Sequence, residues 1–251
     1  MTRAVARTRG RAAVVALLVV AGTLSACGAA PVPVGPRGID QLTIPTPDPH
    51  PADFTADVDN TWFPLPPGTS WTYRRSTTSG SDRVVATALA RTRRIDGVET
   101  RPVRWVAAHR GRTTPLAVRW YAQDTAGNVW WFGQRLTSAG ADLDALATRS
   151  WQAGRDGAQA GLVMAADPRM GDGYRNAYQP GVVERRSTVL SVRATASLPR
   201  RTYRDTVLTR DLSRIEPIHV VQSYYAPGTG LVAQQTVSTT TSELFLLQRR
   251  P

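Results

Sequence analysis

The 251-residue sequence predicts a mainly β protein, a single domain of curved antiparallel sheet that forms a meander, barrel or half-barrel, with little helix. Three observations predict this fold class. Apolar side chains alternate with period two, as is typical of strands, in stretches that begin at Val84, Leu116, Leu190 and Ile218. Glycine-containing turns separate these stretches. Helical periodicity is nearly absent, and the best candidate is a segment of two or three turns at 141–151, which Asp142 could cap.

The N-terminus has the pattern of an export signal. Four arginines precede an apolar run at 12–22, which is too short to cross a membrane but suits a signal peptide. The run ends in Leu24-Ser25-Ala26-Cys27, which resembles the lipobox of bacterial lipoproteins, where the cysteine sulfur is lipidated and the signal is cut before it. Cys27 is the only cysteine, so it has no partner for an internal disulfide. We therefore expect a lipoprotein signal peptide at 1–26 and anchoring to the outer face of the cell membrane through lipidated Cys27. The alternative is an ordinary secretory signal.

The rest of the chain divides into a tether and one domain. Residues 27–52 are dense in proline, which favours extended polyproline II structure and cannot bury enough apolar surface to fold. They predict a semi-rigid spacer. Residues 53–248 show no linker or break in composition, so they predict one β-rich globular domain with its own core.

The net charge of +12 comes from 31 basic residues, all of them arginine. Loss of residues 1–26 would remove four arginines and no acid, which leaves +8. The remaining arginines occur as scattered dyads rather than as a stripe or a basic helix, so we do not expect a nucleic-acid partner. A basic surface could rest on anionic lipid or cell-wall polymers. We favour the simpler interpretation of solvated arginines that maintain solubility.

The most aromatic segment is WYAQDTAGNVWWFGQ at 120–134. Its centre, 124–127, suits a type I turn, because aspartate accepts backbone N–H bonds and glycine tolerates the positive φ that follows. The segment predicts a hairpin with large rings on both faces. Such rings form a core or line a ligand cavity, and core packing is their commoner use. The ligand hypothesis names the contact residues Trp120, Trp130, Trp131, Phe132 and Tyr225, the last from a similar phrase at 224–232. A turn at Pro67-Gly68 should also place Trp71 and Tyr73 on one face.

Catalytic and metal signatures are scarce. The glycine-rich segment 151–181 contains Asp156, Asp167 and Asp172, but their spacing matches no metal loop, and aspartate beside glycine commonly caps turns. His109 and His219 both fall in predicted strands. We therefore expect no metal and no cofactor, and we keep Asp156 and Asp172 as the catalytic pair of an alternative, a cell-wall glycan hydrolase.

The chain resembles a group of uncharacterised bacterial surface lipoproteins of the actinobacterial type. The resemblance rests on the phrases FPLPPGTSWTY, WYAQDTAGNVWWFG, WQAGRDGAQAG and YYAPGTGLV, and it covers about 60–235. It implies a β-rich envelope protein built on a curved antiparallel sheet, and it assigns no catalytic residue.

The sequence therefore predicts a lipid-anchored, exported envelope protein that acts as a non-catalytic binding module for an apolar or glycan-like ligand. The alternatives are the glycan hydrolase and a purely structural envelope lipoprotein. Whether the chain is an enzyme stays open, as do the ligand and the oligomeric state.

Overall fold

The structure is a computed structural model that describes residues 50–251, apart from 79, 110–111, 138, 140–142 and 239–241. The expected signal peptide at 1–26, the lipidated Cys27 and nearly all of the tether at 27–52 lie outside the described residues. No helix in the described part is long and apolar enough to span a membrane.

The described residues form fifteen β-strands and no α-helix, which confirms the predicted fold class. A short 3-10 turn at Pro51–Asp53 precedes the first strand. The strands are β1 Phe54–Thr55, β2 Ser70–Thr77, β3 Gly80–Ala88, β4 Arg93–Ile95, β5 Val98–His109, β6 Arg112–Asp124, β7 Val129–Leu136, β8 Trp151–Gln152, β9 Gly161–Met164, β10 Gly173–Gln179, β11 Val183–Leu198, β12 Arg201–Ser213, β13 Val220–Ala226, β14 Gly230–Thr236 and β15 Glu243–Arg250. The last strand thus ends two residues beyond the predicted boundary at 248.

The strands form one antiparallel sheet in the order β10-β11-β12-β13-β14-β15-β2-β3-β5-β6-β7-β8. Most neighbours in this order are also neighbours in the chain, so the sheet is largely a meander. The strands β1, β4 and β9 attach to β6, β5 and β7. Between β15 and β2 the sheet joins its C-terminal strands to its first long strand, in a register that places Leu246 opposite Tyr73.

The two ends of the sheet meet at β9 and β10, so the sheet is nearly closed into a barrel. A bridge between Gln159 and Tyr178 spans the gap. Gly161 also lies against the backbone of β10, because a Cβ built on it would stand 2.4 Å from the carbonyl carbon of Asn176. Glycine is required here because no side chain fits between the two backbones.

The predicted turns are present. Gly127 has φ of 84°, and one carboxylate oxygen of Asp124 accepts the N–H groups of Ala126 and Asn128, each at 2.9 Å. This Asx-type cap closes the β6–β7 hairpin as the sequence predicts. Gly68 has φ of 85° in the turn before β2, and the strand that follows places Trp71 and Tyr73 on one buried face.

Two local expectations were wrong. The described part of 141–151 forms no α-helix. Its backbone turns at Asp144, whose carboxylate accepts the N–H of Leu146 at 3.0 Å, and Trp151 already belongs to β8. Asp144 points inward to distant arginines, which fixes the backbone in a turn rather than in a helix. His219 lies in the turn before β13 instead of within a strand, whereas His109 ends β5 as expected.

Candidate ligand cavity

The interior of the rolled sheet contains a cavity of about 70 Å³. One water molecule needs roughly 10–15 Å³ of such space, so the cavity has room for about five waters or a small organic group. Its walls come from strands in both halves of the rolled sheet and from the segment before β2. They are Phe63, Pro64, Leu65, Trp71, Tyr73, Ala86, Val103, Trp105, Arg119, Tyr121, Trp131, Val163, Arg185, Tyr225, Gly230, Leu231 and Gln234.

One wall of the cavity is aromatic. Period-two alternation directs Trp71 and Tyr73 of β2, Trp105 of β5, Tyr121 of β6 and Trp131 of β7 to the same side of the sheet. Tyr73 stacks on Trp105 with ring centroids 5.7 Å apart, and Tyr121 stacks on Trp131 at 6.3 Å. These pairs give the wall flat surfaces that are held in place by their neighbours.

Hydrogen bonds tie this aromatic wall to the β13–β14 hairpin. The indole N–H of Trp71 donates to the carbonyl of Thr229 at 2.8 Å, and the hydroxyl of Tyr73 donates to the carbonyl of Leu231 at 3.0 Å. The polar ends of both rings therefore have partners, so their faces remain the surfaces offered to the cavity.

A buried ion cluster lies beside the aromatic wall. Asp144, in the connection between β7 and β8, accepts hydrogen bonds from Arg185 at 2.5 Å and from Arg119 at 3.0 Å. Arg185 also donates to Asp211 of β12 at 2.7 Å, and Arg119 donates to the side chain of Gln134 at 3.1 Å. The cluster therefore links β6, β7, β11 and β12 across the interior.

The same guanidiniums also contact the aromatic wall. Arg119 lies 5.1 Å and Arg185 lies 5.9 Å from the ring centre of Trp131, and Arg119 is 5.7 Å from that of Trp105. Such cation–π contacts are worth about 0.5–2 kcal/mol, most where water is excluded. They hold the charged side chains against the rings, so the ion cluster and the aromatic wall form one unit.

Burial and neighbouring charges set the protonation states of the side chains at and beside the cavity. Burial acts to raise the pKa of Asp144, but the charges of Arg185 and Arg119 outweigh it, so this pKa lies below its usual value. Burial acts to lower the pKa of Arg185, but Asp144 and Asp211 raise it overall. Burial also raises the pKa of Tyr121 and Tyr225. At neutral pH the Asp144–Arg185 pair is therefore ionised, and these phenols are neutral hydrogen-bond donors.

Several buried polar atoms at or beside the cavity have no partner among the described residues. Two belong to lining residues, Nε1 of Trp105 and Nε of Arg185, and Oδ1 of Asp211 belongs to the ion cluster. Their side chains are well buried, with only 7 % of Trp105 exposed. Native proteins leave few buried polar atoms unpaired, and each costs about 1–3 kcal/mol. Two residues of the cavity lining therefore each carry a donor that has no partner in the described chain.

The segment before β2 places Phe63 in the cavity wall. Its ring lies 5.1 Å from that of Tyr121 and 5.9 Å from that of Tyr225, so it spans the gap between β6 and β13. Asn60 fixes this segment: Nδ2 donates to the carbonyls of Gly127 and Ala165, and Oδ1 accepts the backbone N–H of Phe63 at 3.0 Å.

The structure separates the predicted contact residues into two groups. Trp131 and Tyr225 line the cavity. Trp120, Trp130 and Phe132 lie outside its lining and are buried elsewhere. The ring of Phe54 packs against Trp130 at 6.2 Å and Phe132 at 5.3 Å, and the guanidinium of Arg93 lies 4.9 Å from the ring centre of Trp120.

Other lining residues were not predicted as contacts. Trp71 and Tyr73 were expected on one strand face, and that expectation is enough to name them as candidate contact residues. Nothing in the sequence marks Arg119 or Arg185 as cavity residues, because an arginine in a predicted strand is expected to be exposed to solvent.

The two acids of the hydrolase alternative, Asp156 and Asp172, lie toward opposite ends of β10. Gly157, next to Asp156, lies beside Pro180 just beyond the end of β10, whereas Asp172 precedes the start of that strand. A seven-residue strand spans roughly 20 Å, far more than the 5–9 Å between the carboxyls of glycosidases. Asp172 instead caps its own turn by accepting the N–H of Arg169 at 2.7 Å. Among the described residues, no group of three or more His, Cys, Asp or Glu is arranged to hold a metal ion.

Two solved structures are similar to this chain. One is a Bacteroides fragilis protein provisionally named an exported protein with a YmcC-like fold, with 15 % identity, 76 % of this chain and 100 % of that chain covered, and a TM-score of 0.44. The other is a Parabacteroides distasonis protein provisionally named a lipoprotein, with 11 % identity, 76 % and 99 % coverage, and a TM-score of 0.40. No protein-family profile matches the chain, and no curated protein does.

Proposed function

We propose that this protein is an exported, lipid-anchored binding module whose rolled sheet holds one small substituent of a glycan-like ligand, a group with both hydroxyl and apolar C–H surface. The observation that carries the proposal is the interior cavity. Flat rings line it together with Arg119 and Arg185, and the lining residues Trp105 and Arg185 each carry a buried polar atom that lacks a hydrogen-bond partner in the described chain. Sugars present C–H surface to aromatic side chains and hydroxyls to polar ones, so their chemistry suits this mixed lining.

The unpartnered donors of the lining residues favour a glycan-like group over a purely apolar one. An apolar ligand would leave Nε1 of Trp105 and Nε of Arg185 unpaired, at a cost of about 1–3 kcal/mol each. A ligand hydroxyl can accept from either atom and remove that cost.

The binding test is a tryptophan fluorescence titration with N-acetylglucosamine and its short oligomers, with myristate as the apolar arm. Trp105 and Trp151 provide a matched pair, because both are buried with an unpaired Nε1 and only Trp105 lines the cavity. We expect saturable binding of the saccharide, weakened about tenfold by Trp105→Phe and little changed by Trp151→Phe.

Three results would contradict this proposal. No saturable change with any ligand would favour a structural envelope protein. Binding of myristate alone would favour an apolar ligand. Equal losses in the two tryptophan variants would place binding outside the cavity. Mass spectrometry of molecules that copurify with the protein provides a test that does not depend on the chosen sugar.

The anchoring part of the proposal rests on the sequence around Cys27, the only cysteine of the chain. Labelled palmitate supplied to expressing cells should enter the wild-type protein and not a Cys27→Ser variant. An unlabelled wild-type protein in the culture medium would contradict the lipid anchor.

A further inference from the structure

A second concave surface, which we call the arginine groove, has a volume of about 1030 Å³. Much of it lies on the face of β2, β3 and β15 opposite to the cavity, and the turn between β11 and β12 completes it. Six arginines line it: Arg74, Arg83, Arg200, Arg201, Arg249 and Arg250. No aspartate or glutamate is among its lining residues, and none of the six arginines forms an ion pair within the described part of the chain.

The sheet register forces two of these charges together. Arg74 of β2 lies directly opposite Arg83 of β3, and both side chains are exposed. Like charges in directly opposed positions destabilise a sheet. The next pair shows the usual solution, since Arg75 and Asp82 form an ion pair at 2.6 Å. The Arg74–Arg83 pair therefore opposes folding unless something negative lies over it.

The positive charge extends along the strands. Arg250 lies opposite Ser70, four residues before Arg74 on the same strand. At 3.3 Å per residue, the two arginines stand roughly 13 Å apart along the groove. Between these ends, Arg249 also lines the groove; its guanidinium lies 5.9 Å from the ring centre of Trp71, and its buried Nε has no hydrogen-bond partner among the described residues. A single anion cannot reach both ends, but a chain of anionic groups can.

We propose that the arginine groove binds a linear polyanion, a polymer chain that carries phosphate groups at intervals. The groove is concave, so a chain can lie within it, whereas a flat bilayer surface reaches only its rim. Tyr203 and Phe245 also line the groove and offer apolar contacts to the carbon skeleton between the charges. This site is separate from the interior cavity.

The test uses the full chain in phosphatidylcholine nanodiscs and fluorescein-labelled polyphosphate, with binding followed by anisotropy. The groove variant is Arg74→Glu/Arg83→Glu. The matched control is Arg186→Glu/Arg210→Glu, which changes net charge equally at two exposed arginines outside the groove. We expect binding to weaken about tenfold or more in the groove variant and only about twofold in the control.

Salt dependence provides a second measurement. Each phosphate contact on a single-stranded polyanion contributes about 0.7 to the slope of log affinity against log salt, so the groove variant should lose about 1.4. Equal affinities and slopes in the two variants would show that charge acts diffusely and would overturn the proposal. Circular dichroism confirms that both variants fold.

A measurement in nanodiscs distinguishes the polymer from the alternative occupant, an anionic bilayer surface. Phenylglyoxal modification of Arg74 and Arg83 is measured in nanodiscs of phosphatidylcholine alone and in discs that also contain phosphatidylglycerol. Protection by polyphosphate in neutral discs supports the proposal. Protection by anionic discs without polyphosphate binding would overturn it in favour of a bilayer surface.

Discussion

Replacement of Asp144 by asparagine tests the ion cluster that holds the two arginines of the cavity lining. The substitution keeps the size of the side chain and removes its charge. Arg185 and Arg119, which bond to this carboxylate at 2.5 and 3.0 Å, would then face a neutral amide. The side chain of Asp144 is only 2 % exposed, so solvent cannot replace the lost charge.

The expected loss of stability is large. Removal of one partner from a buried ion pair costs about 3–5 kcal/mol, because it leaves the other charge buried without compensation. Here Arg185 keeps its ion pair with Asp211, whereas Arg119 loses the only ion pair that it forms among the described residues. In a domain of this size, each kcal/mol shifts the melting temperature by about 2–4 °C, so we expect a decrease of roughly 10 °C. Asp167→Asn is the matched control. Its ion pair with Arg169 leaves the two side chains 81 % and 78 % exposed, and such pairs contribute only about 0–1 kcal/mol.

The pH dependence gives the same prediction a second measurement. The pKa of Asp144 is lowered from its usual value of 3.8, so its ionised form stabilises the fold above that pH. This contribution is lost as the pH falls through the depressed pKa. In urea unfolding followed by tryptophan fluorescence, the gap between wild type and Asp144→Asn should be full above about pH 4 and shrink below it. A gap below about 1 kcal/mol, or one that does not change with pH, would refute this account of the cluster.

Two further predictions concern the packing around the cavity. Gly161→Ala places a Cβ 2.4 Å from the backbone of β10, so we expect a loss of about 1–3 kcal/mol in urea unfolding. Gly228→Ala, where nothing lies within 4 Å, should show only the smaller cost of a positive φ, and equal losses would argue against tight closure at β9. Asn60→Ala removes the bonds that hold the segment before β2, so the amides of Trp62 and Phe63 should exchange hydrogen faster. Unchanged exchange would show that Asn60 does not hold this segment.

The sequence was a good guide to the sheet because strands and turns are encoded locally. Asp124 and Gly127 predict the β6–β7 turn through their own backbone preferences. Alternation places Trp71 and Tyr73 on one face without knowledge of what that face contacts. The helix expected at 141–151 failed because a long-range interaction overrides local periodicity. Asp144 is drawn inward by Arg185, forty-one positions away.

The side of the aromatic hairpin that faces the cavity could not be read from the sequence. Both faces of β7 carry large rings, so alternation alone cannot separate Trp131 from Trp130. In the structure, Phe54 packs over Trp130, and Trp131 on the other face of β7 lines the cavity. The arginine groove is another long-range feature: the dyads at 200–201 and 249–250 are about fifty residues apart in the chain, yet they line the same groove. The scattered dyads therefore predicted separate solvated charges, whereas the fold brings several of these arginines together in one groove.

The chemistry of the interior argues that more than stability determines its residues. Replacement of a buried ion cluster by packed apolar side chains is often neutral or stabilising, because desolvation of the charges costs as much as their attraction returns. Aromatic rings already line much of this interior, and apolar residues could fill the rest. Instead, Arg119 and Arg185 line the cavity and bond to Asp144, which lies outside the lining, and Nε of Arg185 and Oδ1 of Asp211 have no hydrogen-bond partner in the described chain. A cluster of this kind is costly for folding alone, but it becomes favourable when a polar ligand completes its hydrogen bonds, so it supports a binding role over a purely structural one.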